Sequence, residues 1–125
     1  MTTMNTQLDT STKQIPFGAS GSGTGLILDK GTGTCTGTAL AQTVTINNQA
    51  GVITTINLNG LALGVITVTN SFCLSTSNVQ ATVTVSGSDY CWVTVGPVST
   101  GSFVLNVSPI AATFTNAIGI CFAVF

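Results

Sequence analysis

The chain has 125 residues, 44% of them hydrophobic, and a formal net charge of -1 carried by two lysines and three aspartates. With no His, Arg or Glu, it lacks most of the groups that move protons or stabilise charge in catalysis at neutral pH. Two lysines cannot neutralise a phosphate backbone either, so neither an enzyme nor a nucleic-acid binder is expected. The mean hydropathy of +0.58 is high, yet Thr, Ser, Asn and Gly interrupt every apolar run well short of the roughly 20 residues of a membrane-spanning helix. No membrane partner and no cofactor is expected.

Residues 1–34 read as a flexible or extended N-terminal arm. They are rich in Thr, Ser and Gly, with the run Gly18-Ala19-Ser20-Gly21-Ser22-Gly23-Thr24-Gly25 near the centre. Such a composition buries too little apolar surface to offset its ordering entropy. Laid on a neighbour, it would be anchored by Ile15, Phe17, Leu26 and Leu28; alone it is a linker or a frayed end. The start, Met1-Thr2-Thr3-Met4-Asn5, has neither a basic stretch nor an apolar core of the secretory kind, so assembly in a host cytoplasm is expected.

Residues 35–125 read as one β-sandwich domain. Apolar and polar residues alternate with period two in Thr43-Val44-Thr45-Ile46 and again in Ala81-Thr82-Val83-Thr84-Val85, as on a half-buried strand. The pattern continues through 65–69, 90–95, 103–107 and 118–125, with the β-branched residues Thr and Val dominant. Asn59-Gly60 suits a tight hairpin turn and predicts pairing of 52–58 with 61–69. Ser86-Gly87-Ser88-Asp89 predicts a second hairpin between 79–85 and 90–95; residues 96–101 supply a turn before Phe103, and Pro109 ends that strand. Seven or eight short strands predict an antiparallel sandwich, with the jelly roll as one form of it.

The reactive candidates are Cys35, Cys73, Cys91 and Cys121. Zinc ligands come in close pairs, and here no two cysteines are near in sequence and no His is present. A nucleophilic thiol needs a base or cation to lower its pKa, and the strand region offers none. Cys91 shares a strand face with Val93 and Val95, as a small buried hydrophobe would, and Cys121 sits inside the apolar segment 118–125. Disulfides stay open, with three pairings for four cysteines, although a cytoplasmic origin argues against them.

No phosphate-binding loop is present, because Lys30 precedes Gly31 instead of following a glycine. Asp89 reads as the cap of a turn. Tyr90 and Trp92 alternate onto one face with Thr94; they form an interface, or they complete a core layer or its rim. Asn106-Val107-Ser108 matches the glycosylation tripeptide by chance, within a strand.

The stretch Val44-Thr45-Ile46-Asn47-Asn48-Gln49-Ala50-Gly51-Val52-Ile53-Thr54-Thr55, followed by Gly64-Val65-Ile66-Thr67-Val68-Thr69-Asn70-Ser71, resembles small virion proteins of tailed bacteriophages. Gly101-Ser102-Phe103 and the apolar segment 119–125 extend the resemblance to the end, covering about 43–125 and leaving out the arm. It implies a β-sandwich on a virus particle, as a capsid decoration protein or the tip of a head or tail fibre, commonly a homotrimer partnered by a major capsid or other virion protein. The function expected is therefore that of a virion structural protein. Two rivals share the composition: a self-polymerising extracellular fibre or spore-appendage subunit, displayed on a cell or spore surface, and a carbohydrate-binding fibre tip that uses Tyr90 and Trp92.

Overall fold

The computed structural model describes residues 28–84 and 90–125. Of the arm anchors, Ile15, Phe17 and Leu26 lie outside the described residues, as does Asp89 with its expected turn. Nine strands are described: β1 (Lys30–Thr34), β2 (Thr36–Thr38), β3 (Ala41–Thr45), β4 (Ala50–Thr54), β5 (Gly64–Thr69), β6 (Val79–Thr84), β7 (Cys91–Ser99), β8 (Ser102–Pro109) and β9 (Gly119–Val124). They form a four-stranded sheet in the order β1-β4-β9-β6 and a five-stranded sheet in the order β2-β3-β5-β8-β7.

The two sheets pack face to face as a sandwich, and period-two alternation decides which side chains lie between them. Val44 of β3, Ile66 and Val68 of β5, and Phe103, Leu105 and Val107 of β8 point in from the five-stranded sheet. Ile53 of β4 and Ile120, Phe122 and Val124 of β9 point in from the other. Phe103 and Phe122 meet across the gap with ring centroids 5.3 Å apart and planes tilted by 57°. Each buried aromatic of this kind contributes about 2 to 3 kcal/mol by burial, and the tilted pair adds about 1 kcal/mol.

The sandwich is as expected, but its sheets are mixed: β1 runs parallel to β4 and β3 parallel to β5, while the remaining pairs are antiparallel. The jelly-roll form does not follow from this order. The four-stranded sheet also begins earlier than the expected domain boundary, because Lys30–Thr34, which reads as arm, is its edge strand. Cys35 then carries the chain from one sheet to the other, its amide donating to Thr54 O at 2.8 Å.

Neither predicted hairpin forms. The chain does turn at Gly60, whose φ of 79° needs a glycine, and Leu61 N donates to Leu58 O at 2.9 Å. The flanking strands β4 and β5 nevertheless belong to different sheets, so the turn lies in a crossover. Likewise β6 pairs with β9 and β7 with β8. Turn residues set local geometry, and local geometry does not decide whether the strands it joins will pair. The expected turn over 96–101 is shorter too: β7 runs on to Ser99 with an irregularity between Val95 and Val98, and only Thr100-Gly101 separates it from β8. Pro109 ends β8 as predicted.

Crossovers within a sandwich pass through its interior edge and must satisfy their own polar groups. Three buried polar side chains do this. Gln42 accepts from Ile56 N at 3.0 Å and donates to Ala39 O at 3.1 Å. The hydroxyl of Thr55 donates to Ile56 O at 2.8 Å and accepts from Ile118 N at 2.9 Å. Asn70 donates to Ile46 O and Asn48 O, at 2.7 and 2.8 Å, and accepts from Phe72 N at 2.8 Å. Among the described residues no buried side-chain N or O lacks a partner.

Candidate interaction surface

A reactive site would need titratable groups brought together. Among the described residues no group of three or more His, Cys, Asp or Glu side chains is placed to hold a metal ion. The four cysteines are thiols. Cys35 and Cys73 are buried, and desolvation pushes the Cys35 thiol up to about 11 and that of Cys73 above its ordinary value. A thiol held protonated at neutral pH is a weak nucleophile and a poor metal ligand. Cys91 and Cys121 are half-buried and lie on separate sheets, Cys91 packed against the core as expected. Val95, expected on the same buried face, is 38% exposed, because the irregularity beyond it turns Val98 inward instead.

A shallow cleft of about 280 Å³ lies on the outer face of the four-stranded sheet, where Leu28, Ala50, Cys121 and Ala123 meet Lys30 and Thr82. Leu28 is thus the one expected arm anchor among the described residues, and it rests on its own sheet. The cleft holds an ammonium and a thiol in apolar walls, without a carboxylate or imidazole to complete an acid–base pair.

The surface itself is more informative. Tyr90 and Trp92 are 67% and 61% exposed, which removes the core-layer reading for both. Trp92 stands on the outer face of β7, in register with Ser108 of β8. Further apolar side chains gather in the loops at the two ends of the sandwich. At one end, the strands of the five-stranded sheet start or finish next to Leu40, Leu63, Ile110 and Tyr90, all exposed. Backbone hydrogen bonds tie these loops together: Val65 N to Ala39 O, Ile110 N to Tyr90 O and Phe114 N to Leu61 O.

At the other end lie Phe72, Leu74 and Phe125, also exposed. Gly101 N donates to Cys73 O, and Asn78 and Phe125 exchange both backbone hydrogen bonds at 2.9 Å, so this second loop cluster is also one unit. Neither cluster is among the sequence-based expectations, although a signal is present. Leu61-Ala62-Leu63 and Ile110-Ala111-Ala112 are apolar residues in turn segments, where polar ones are the rule.

Fold and surface together define a class: a two-sheet β-sandwich with no assembled reactive group among the described residues and with exposed apolar side chains in the loops at both ends. No protein-family model, curated protein or solved structure matches this chain.

Proposed function

We propose that this chain is a structural subunit that works by associating with copies of itself, in the setting its resemblance to phage virion proteins implies: the outside of a virus particle, as a decoration or fibre component. The observation that carries the reading is the exposure of ten large hydrophobic side chains among the described residues, on a chain with five formal charges. Surfaces of free monomers normally carry many mixed charges that oppose association, and apolar patches of more than a few hundred Å² mark interaction sites. Sedimentation velocity and electron microscopy of the purified full chain test it. Regular oligomers are expected; a protein that stays monomeric up to about 1 mM would overturn the reading.

The exposed Trp92 supports a second reading, a carbohydrate-binding surface, because it is flanked by the polar side chains of Thr94, Asn106 and Ser108. A glycan array and its Trp92→Ala counterpart decide it: binding that survives the substitution, or none at all, removes this reading.

A further inference from the structure

Asn59-Gly60 is the only Asn-Gly pair of the sequence, and both residues are exposed. They are the central residues of the turn closed by Leu61 N and Leu58 O at 2.9 Å, and Gly60 has a φ of 79°. The hydrogen bond that closes such a turn makes no use of the amide of its third residue. Here that amide, Gly60 N, donates to Phe114 O at 2.8 Å, and Phe114 N donates in turn to Leu61 O at 2.8 Å. Phe114 is fully buried, so its bridge to Asn59 ties an exposed turn to the core.

An asparagine followed by glycine is open to self-modification, because no Cβ on the next residue shields the backbone nitrogen that attacks the side-chain amide. No neighbouring group fills that role, since a Cβ at Gly60 would meet nothing within 4 Å among the described residues. We infer that Asn59 is a site of spontaneous deamidation whose rate is set by how often the bond from Gly60 to Phe114 opens. The nitrogen of Gly60 bonds to Cγ of Asn59, the bond from Cγ to Nδ2 breaks, and the amide proton of Gly60 leaves with Nδ2 as ammonia. Water then adds to one of the two carbonyls of the cyclic imide and opens it, to aspartate or to isoaspartate at position 59. While Phe114 O holds the proton of Gly60 and the bridge holds its peptide plane, the nitrogen is not free to turn onto Cγ. Opening of the bridge releases both.

Other asparagines are placed differently. Asn47, Asn48, Asn57, Asn70 and Asn78 have their side chains in hydrogen bonds, and none of them precedes a glycine. Conversion at Asn59 puts a new carboxylate between the buried Leu58 and the exposed Leu61 and Leu63, on a chain with five formal charges. The isoaspartyl form also inserts the side-chain methylene into the main chain, inside the turn that Leu61 N and Leu58 O close. This end of the sandwich thereby gains charge and loses its turn with age. The inference stands apart from the self-association proposed above, because it needs only the chain and water.

The test follows the unaltered full chain at physiological temperature and mildly alkaline pH, both folded and in guanidinium chloride. Ion exchange resolves the converted chain, and peptide mapping separates asparagine, aspartate and isoaspartate at position 59. Amide hydrogen exchange of Gly60 is measured on the same folded sample. In the unfolded chain, conversion at Asn59 is expected to lead that at every other asparagine; in the folded chain it is expected to be about tenfold or more slower. The slowing should equal the protection of the Gly60 amide to within about threefold, because both processes wait for the same opening. Equal rates in the folded and unfolded chains, a slowing that disagrees with the protection, or an unfolded chain that converts first at another asparagine each overturn the inference. Phe114→Leu supplies an independent check: Gly60 protection is expected to fall and the folded rate to rise by the same factor, with the unfolded rate unchanged. A folded rate that does not follow the protection rejects the gate. Should this variant not fold, the comparison within the unaltered chain decides alone.

Discussion

The side-chain amide of Asn70 donates to the carbonyl of Ile46 at 2.7 Å, joining the chain just after β5 to the chain just after β3. Both segments leave the five-stranded sheet there and cross to the four-stranded one. A second donation, to Asn48 O, and acceptance from Phe72 N use the rest of the amide. Asn70 is fully buried and its bond to Ile46 O lies wholly inside, while those to Asn48 O and Phe72 N lie at the edge of the buried region. The same side chain thereby sets the start of the loop that presents Phe72 and Leu74.

Asn70→Ala therefore removes three hydrogen bonds and leaves the buried Ile46 carbonyl without this partner. We expect a loss of about 2 to 4 kcal/mol in stability, read as a lower denaturant midpoint with little change in slope. Asn70→Asp, which keeps the acceptor but loses both donations, is expected to be at least as damaging. A loss below about 0.5 kcal/mol would show that the loop is held by its backbone alone.

Phe103 carries the contact between sheets. Phe103→Ala removes the ring that meets Phe122 at 5.3 Å and opens a cavity in the middle of the core. The expected cost is about 3 to 5 kcal/mol in chemical denaturation, whereas Phe103→Leu should cost less than half of that. Equal losses for the two would mean that the ring stacking, and not the volume, is decisive.

Two glycines separate close approach from backbone strain. A Cβ at Gly51 would lie 2.7 Å from the Phe122 ring and 2.9 Å from Gly31 O, which is backbone and cannot swing away. A Cβ at Gly60 meets nothing, and only its φ of 79° opposes substitution. Gly51→Ala is expected to cost about 1 to 3 kcal/mol by overpacking, and Gly60→Ala about 1 kcal/mol by strain. Thermal melts of the two variants should rank in that order.

Burial raises the Cys35 thiol to about 11, above its value in the unfolded chain. The folded state thus holds this proton more tightly than the unfolded state. Its contribution to stability is complete below about pH 9 and is lost as pH rises towards 11. Denaturation curves of the unaltered chain and of Cys35→Ala should converge or cross over this range and run parallel below it. Matching alkylation experiments at neutral pH should find Cys35 modified only on the timescale of unfolding; rapid modification in the folded state would contradict its burial.

Much of the sandwich was legible in the residues. Period-two alternation put Val44, Ile66, Val68, Phe103, Leu105, Ile120 and Phe122 on inward faces, and all are buried. Asn59-Gly60 and Pro109 marked a turn and a strand end where the chain has them. Partnership was not legible. β4 and β5 follow one another through a turn of hairpin type and still join different sheets, because pairing depends on where the two apolar faces can be buried together, a property of the whole chain. The same holds for Lys30–Thr34, whose glycines and threonines read as arm. Its Gly31 and Gly33 let Ile46, Asn48 and Val44 come within reach of the strand backbone, a contact between segments far apart in sequence.

By itself, then, the sequence determined an all-β chain, the faces of its strands and the absence of His, Arg and Glu, since these depend on residue type and near-neighbour spacing. Only the tertiary structure decided which strands pair and where the leftover apolar side chains go. Leu40, Leu61, Leu63 and Ile110 are scattered along the chain, and it is the shared direction of the strand ends that gathers them at one end of the sandwich.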